Sequence, residues 1–278
     1  MKSILAHADG SAATAGRLRF AGELAVQHGA PLTALFAVTP PALDPSAAHA
    51  ASSVAVKLLM EAHERSKSSA RAALAAARAA TSAQAGWAEI DDGATPLQAF
   101  IRQAHCTDMV VLGQQDPAVI GASQVPSDFV SSVILGSGRP AIVLPYTGEG
   151  TASMRTILVA WKPSAQAARA VAAAVPLLRR AREVHVASWG RDDAPGCQGE
   201  ALDIERYLRW HGVSATSHHE SAAGDDEIGE LMLSKAADVG ADLLVMGCYA
   251  HSRVRELVLG GATRVVLRSM TLPVLANH

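Results

Sequence analysis

Short apolar runs alternate along the chain with longer stretches in which alanine and leucine recur at helical spacing. The runs, of three to seven residues, predict strands buried on both faces, and the stretches between them predict helices. This alternation favours an α/β fold, in which helices cover both faces of a parallel sheet. It occurs twice, so each half of the chain predicts a doubly wound, Rossmann-like sheet of five strands.

In the first half the predicted strands are Ile4–His7, Leu32–Val38, Trp87–Ile90, Met109–Leu112 and Ala141–Leu144. In the second half they are Ile157–Trp161, Glu183–Ser188, Val213–His219, Leu243–Met246 and Val274–Ala276. The predicted helices are Ala12–Gly29, Val54–Ala83, Thr95–His105, Asp128–Leu135, Ser164–Ala181, Gly199–His211, Asp225–Gly240 and Ala262–Ser269.

The two halves also repeat each other in sequence. The segment DMVVLG at Asp108–Gly113 returns as DLLVMG at Asp242–Gly247, 134 residues later. SILAHADGS near the N-terminus corresponds to TILVAWKPS at Thr156–Ser164. A duplicated domain explains both coincidences. The Gly/Thr/Ser-rich segment Tyr146–Met154 then reads as a linker between two domains, 1–147 and 154–278.

Composition limits the functional classes. The 278 residues are 49% apolar and 18% charged, as expected of a globular protein. A net charge of −2 favours neither nucleic acid nor an anionic membrane as partner, and no apolar run has the length of a membrane span. Three scattered cysteines without a CxxC pair favour a reducing compartment, so we expect a cytoplasmic protein.

The fold class predicts where a ligand would bind. In open α/β sheets, ligands lie beyond the carboxyl ends of the strands, at the point where strand order reverses. Gly247 ends a predicted strand at this edge, and Gly260-Gly261 precede the last helix. Backbone amides and the dipole at a glycine-rich helix start favour an anion. The alternative is that the paired glycines only permit a tight turn.

The spacing of these residues resembles a known motif. Gly247 is followed by two residues and Ala250, then by nine residues, Gly260 and Gly261, and later by an apolar strand opening with Pro273. This resembles the Gly-x2-Gly-x9-Gly-(Ser/Thr) motif of nucleotide-binding universal stress proteins. The turn ADGS at Ala8–Ser11 resembles the VDGS turn of the same family. The chain therefore looks like a tandem universal stress protein.

The resemblance implies that ATP or another adenine nucleotide, with or without Mg²⁺, binds in the second half. The motif's glycines and following amides would hold the phosphates and ribose, although Ala250 replaces the second glycine and Gly261 the Ser/Thr. Lys162 stands where the family has an aspartate directed at the adenosine. The expected site consists of Lys162, Gly247, Ala250, His251, Ser252, Gly260, Gly261 and Ala262.

The first half has the complementary pattern. Asp9-Gly10-Ser11 is intact, but the segment after its fourth strand, Gly113–Asp128, lacks the spaced glycines. Asp128 is predicted to cap a helix there, which would place a carboxylate where an anion would bind. We expect this half not to bind a nucleoside triphosphate.

Other candidate chemistry is weaker. His218-His219-Glu220 suggests a metal site, but adjacent strand residues point to opposite faces, so both histidines would not ligate one ion. Cys248 follows Gly247 and is expected to be a small, partly buried residue rather than a reactive thiol. The sequence contains no Walker A motif, nucleophile elbow or HExxH motif, so we expect no catalytic residues and no resident metal.

Three functional hypotheses follow. The first is a stress-response protein that binds an adenine nucleotide in its second domain and acts through protein partners. The second is a scaffold or interaction module that has lost nucleotide binding. The third is an enzyme such as a slow ATPase, which the missing general base disfavours. The family resemblance implies a homodimer, although the duplication would also supply that pairing within one chain.

Overall fold

The computed structural model describes residues 1–39, 53–91, 93–116, 125–147, 150–190, 201–220, 227–248 and 261–278. The chain divides into two compact units, Met1–Ala152 and Ser153–His278. Each unit is an α/β sheet of five parallel strands flanked by helices, as the sequence predicts.

The first unit contains strands β1 (Ile4–Ala8), β2 (Leu32–Phe36), β3 (Ala85–Glu89), β4 (Met109–Gly113) and β5 (Ala141–Leu144). Its helices are α1 (Ala13–His28), α2 (Ser53–Thr81), α3 (Pro96–Ala104) and α4 (Phe129–Ser137). Helix α1 packs against α2, and α3 packs against α4.

The second unit contains strands β6 (Thr156–Ala160), β7 (Glu183–Trp189), β8 (Thr216–Glu220), β9 (Leu243–Gly247) and β10 (Val274–Asn277). Its helices are α5 (Ala165–Leu178), α6 (Ile204–Trp210), α7 (Ile228–Asp238) and α8 (Gly261–Ser269). Helix α5 packs on β9 and β10, and α7 packs against α8.

Strand order is the same in both units. The first sheet runs β3-β2-β1-β4-β5 and the second β8-β7-β6-β9-β10. In each, the chain moves outward from the central strand in one direction and then returns to its other side. The order therefore reverses between β1 and β4 and between β6 and β9, which is where such sheets bind ligands.

Apolar burial explains why these segments are strands. All five residues of β1 are buried, as are Met109–Leu112 of β4 and the whole of β5. All four phenylalanines are buried in the first unit, whereas the second unit has an aliphatic core. The edge strands β3 and β8 are more exposed, because only one neighbour covers each of them.

The structure corrects several predicted boundaries. Strand β8 begins at Thr216 rather than at Val213, because Val213 instead closes the turn after α6 through a hydrogen bond from its amide to the Leu208 carbonyl. Asp128 does precede α4, but its carboxylate accepts from the Ser132 hydroxyl at 3.0 Å rather than from a helix amide. None of the helices in the described ranges is both long enough and apolar enough to cross a membrane.

Candidate functional site

The turn after β1 places Asp9 at the point where the first sheet changes strand order. Its Oδ1 accepts hydrogen bonds from the Ser11 amide at 2.9 Å and from the hydroxyls of Ser11 and Thr14 at 2.5 Å each. Short side chains that bond their own backbone stabilise turns of this kind. The Oδ1 atom of Asp9 therefore accepts its hydrogen bonds from residues of its own turn and of the first turn of α1.

Arg17 on α1 engages the other oxygen. Its side chain is only 4% exposed, and both terminal nitrogens lie 3.4 Å from Asp9 Oδ2. Arg17 Nη1 also donates to the His7 carbonyl and to His7 Nδ1, each at 3.0 Å. The guanidinium therefore lies at the carboxyl end of β1, surrounded by acceptors.

These contacts fix the charge states of the cluster. Burial alone would raise the pKa of Asp9, but the Arg17 guanidinium, helped by His7, Ser11 and Thr14, holds that pKa far below its usual value. Burial lowers the pKa of His7 to about 4, although the nearby Asp9 carboxylate acts to raise it. Near neutral pH, Asp9 is a carboxylate and His7 a neutral ring that donates from Nε2 to the Ala37 carbonyl at 2.9 Å.

The guanidinium fills the crevice between β1 and β4. Gly113 ends β4, and a Cβ at this residue would lie 2.8 Å from Arg17 Nη2. Gly10, beside Asp9, lies against Ser66 of α2. The switch point of the first unit is therefore occupied by the chain's own side chains, which sequence reasoning did not foresee.

The second unit is built differently at the same position. Lys162-Pro163-Ser164 follow β6, and Ser164 caps α5 by accepting from the Ala167 amide at 3.2 Å. Arg17 lies six residues after Ser11, and six residues after Ser164 the chain has Ala170. A methyl group at Ala170 brings no charge to the switch point between β6 and β9.

Gly247 allows α5 to approach β9 closely. A Cβ at Gly247 would overlap the backbone of Gln166 and Ala167. The adjoining Cys248 is buried, and its thiol hydrogen-bonds to Thr263 in α8. Burial raises the pKa of this thiol to about 12, so it is a packing residue, not a nucleophile. These contacts bring the end of β9, the start of α5 and the first turn of α8 together.

A cavity of about 1120 Å³ opens at the carboxyl ends of β6, β7 and β8. Its walls include the rings of Trp161, Trp189 and Tyr207 and the aliphatic side chains of Val171, Val186 and Ile204. Lys162, Ser188 and His219 add polar groups. Ligand sites combine apolar walls with a few polar groups in this way, and the volume lies slightly above their usual range of about 300–1,000 Å³.

The histidines of β8 lie on opposite faces, as predicted. His218 pairs with His185 of β7, with 3.0 Å between Nε2 and Nδ1, whereas His219 Nδ1 lies 2.8 Å from the Ser188 hydroxyl. Partial burial, together with Lys235 and His185, lowers the pKa of His218. Within the described residues, no three His, Cys, Asp or Glu side chains converge as metal ligands.

Comparison with known proteins agrees with this architecture. Residues 154–278 match the model of the universal stress protein family. The second unit belongs to the universal stress protein family.

The relatives extend the likeness of fold to the whole chain. A universal stress protein from Archaeoglobus fulgidus superimposes with a TM-score of 0.72 over 99% of this chain and 95% of that one, at 17% identity. A Pseudomonas aeruginosa protein described as a universal stress protein gives 0.57 over 100% and 93%, at 18% identity. A universal stress protein from Synechocystis is 46% identical over 46 residues, which span only 16% of its length.

Within this universal stress protein domain, the structure describes four of the eight predicted site residues. Gly247 is the last residue of β9, Gly261 the first of α8, and Ala262 follows it, half-buried. Lys162 is exposed at the cavity wall. Ala250, His251, Ser252 and Gly260 lie outside the described residues.

The structure adds cavity residues that the motif did not indicate. Trp189 and Tyr207 come from β7 and α6, which the sequence motif does not include. The apolar run ending at Ser188 was a signal for Trp189, because side chains just after a parallel strand line this edge. Tyr207 had no comparable signal, since its position depends on how α6 packs.

Proposed function

We propose that the protein is a stress-response protein of the universal stress type that binds an adenine nucleotide, with or without Mg²⁺, in its second unit and acts through protein partners. One observation carries this proposal: a large cavity with aromatic walls opens at the carboxyl ends of β6, β7 and β8, and β6 is one of the two strands between which the strand order reverses. Rings favour a planar base, and a helix start favours phosphate.

The contrast between the units supports one nucleotide per chain. In the first unit, Arg17 and Asp9 fill the switch point. In the second, Ala170 leaves it free of such a pair. The first unit then serves as a nucleotide-independent interaction module, which retains the scaffold hypothesis for half of the chain. The proposal includes a cytoplasmic setting, which the free thiols of Cys106 and Cys248 support.

Calorimetric titration of the full chain with ATP and Mg²⁺ tests the proposal. We expect one site per chain and weakened binding in Gly261→Val, which adds a branched side chain at the first turn of α8. Ser127→Val, beside the corresponding helix start of the first unit, is the matched control and should bind like the parent. If millimolar ATP produces neither heat nor thermal stabilisation, the scaffold hypothesis replaces the nucleotide proposal.

Two further parts of the proposal have separate tests. We propose that the protein is not an enzyme; phosphate release that depends on Gly261 would contradict this and favour a slow ATPase. We also propose that the protein pairs as a homodimer or satisfies the pairing between its own two units. Sedimentation of the full chain distinguishes the dimer from the monomer.

A further inference from the structure

Four exposed arginines lie together at the edge of the second sheet opposite the cavity. They are Arg155, which precedes β6, Arg179 and Arg180, which follow α5, and Arg182, which precedes β7. The backbone holds these segments side by side, because the Arg155 carbonyl accepts hydrogen bonds from the amides of Arg182 and Glu183 at 2.7 and 3.0 Å. We call these four residues the arginine cluster.

Two carboxylates lie beside the arginine cluster, and both are engaged within the chain. Asp242 Oδ2 accepts hydrogen bonds from the amides of Arg155 and Thr156 at 2.8 and 3.0 Å. Glu183 Oε1 lies 3.3 Å from Arg182 Nε, and both of these side chains are more than half exposed. With four guanidinium groups beside two carboxylates, the surface keeps a net positive charge.

Three of the four guanidinium groups are available to a ligand. The side chains of Arg155, Arg179 and Arg180 form no hydrogen bond or ion pair with any residue in the described ranges. The negative end of the helix dipole favours arginine just after α5, but it does not account for Arg155, which precedes a strand. The cluster therefore combines cations from two separate segments of the chain.

The chemistry of the cluster favours an acidic peptide. A guanidinium group pairs with a carboxylate through two parallel hydrogen bonds, and clusters of arginine recognise acidic motifs in this way. A nucleic acid fits less well, because the domains that bind it are strongly basic, whereas this chain has a net charge of −2 and a pI of about 6.6. The two neighbouring carboxylates would also repel a phosphate backbone.

We propose that the arginine cluster docks an acidic segment of a protein partner. The inference rests on the part of the proposed function in which the protein acts through protein partners, and it adds the chemistry of the partner's docking segment. Carboxylates of that segment pair with Arg155, Arg179 and Arg180, whose side chains are already exposed.

Fluorescence anisotropy of the full chain with fluorescein-labelled octaglutamate tests the inference. We expect the peptide to bind the parent protein and its affinity to fall about fivefold in the double variant Arg179→Gln, Arg180→Gln, the scale of two exposed ion pairs. Both residues are exposed and lie outside the sheet, so this variant should fold. The matched control combines Arg169→Gln and Arg264→Gln, which removes the same charge from exposed residues elsewhere in the unit. It should bind octaglutamate like the parent.

Failure of octaglutamate to bind the parent would overturn the inference, as would undiminished binding by the cluster variant. An equal loss in the control would show that net charge alone attracts the peptide, and it would overturn the inference too. Stronger binding of octathymidylate or of phosphatidylserine vesicles, lost in the cluster variant, would assign the cluster to another anion.

Calorimetry with ATP on the same variants keeps this inference separate from nucleotide binding. The arginine cluster lies at the opposite edge of the sheet from the cavity, so its substitution should leave ATP binding unchanged. Peptide binding without ATP binding would overturn the nucleotide proposal alone, and ATP binding without peptide binding would overturn the docking inference alone.

Discussion

At the scale of single residues, the Arg17–Asp9 pair occupies the switch point of the first unit. Both side chains are largely buried, at 4% and 15% exposure, and each is the other's main charge partner. Removing one member of a buried ion pair leaves the other charged and unpaired. The resulting loss in the free energy of unfolding is larger than the net contribution of the pair. The pair is consequently hard to replace one residue at a time.

We expect Arg17→Met to lower the free energy of unfolding of the first unit by about 3–5 kcal/mol, because it leaves the buried Asp9 carboxylate without its cationic partner. Hydrogen exchange at the amides of β1 measures this unit. Arg19→Met is the control: Arg19 pairs with Glu23 at 3.9 Å and is 35% exposed, so its loss should cost less than about 1 kcal/mol. Adding Asp9→Asn to Arg17→Met should recover part of the loss; a further decrease would contradict this account.

The buried His7 predicts acid sensitivity. Its pKa is about 4 in the folded chain, below the ordinary value of 6.5, so the unfolded state takes up a proton first as the pH falls. The contribution of His7 to the free energy of unfolding is complete above pH 6.5. It decreases as the pH falls from 6.5 to 4 and changes no further below pH 4.

The expected decrease is on the order of 3 kcal/mol, from about 1.4 kcal/mol per pKa unit. Hydrogen exchange in β1 at a series of pH values would measure it. His7→Gln keeps a donor for the Ala37 carbonyl and should flatten the profile in that range. A profile as steep as that of the parent would show that other groups cause the acid sensitivity.

At the scale of elements, the junction between β9 and α5 sets the geometry of the second unit's site. Gly247 lets the backbone of α5 touch the strand end, so any side chain there must separate the two elements. The same junction in the first unit is spaced by the Arg17 side chain against Gly113. Two equivalent glycines therefore support different local packing.

We expect Gly247→Ala to lower the stability of the second unit by about 1–3 kcal/mol, because the added methyl group would overlap the α5 backbone. Urea denaturation followed by tryptophan fluorescence suits this unit, since Trp161, Trp189 and Trp210 all lie in it. Gly16→Ala in α1 meets nothing within 4 Å and should be neutral or stabilising by up to about 1 kcal/mol. Equal effects of the two substitutions would rule out a steric cause.

The elements themselves followed from sequence far better than the contents of the site. Apolar runs predict the central strands best, because a strand buried on both faces, such as β4, needs continuous apolar residues. Edge strand β8 was misplaced at its start, since its residues are polar and mostly exposed. The sequence did not predict the role of Arg17, because an arginine in a helix is expected to be exposed to solvent and only tertiary packing buries it here.

At the scale of the whole molecule, the two units share one strand order but differ at the switch point. The proposed single nucleotide should therefore stabilise one unit alone. Ligand at one hundred times its dissociation constant adds about 2.7 kcal/mol to the unit that binds it.

We expect hydrogen exchange with saturating ATP and Mg²⁺ to show new protection in β6, β9 and α5, and unchanged exchange in β1 and β4. The reason for this asymmetry is that Arg17 and Asp9 occupy the crevice between β1 and β4 in the first unit. Equal protection of both sheets would contradict it, as would protection confined to the first.

The Asp9–Arg17 pair also bears on how such a duplicated chain evolves. An open crevice in the first unit requires both charges to be replaced, and either single substitution leaves a buried ion without its partner. We therefore expect sequences that open this crevice one substitution at a time to pass through a less stable first unit. The second unit, with Ala170 at the corresponding position, carries no such cost.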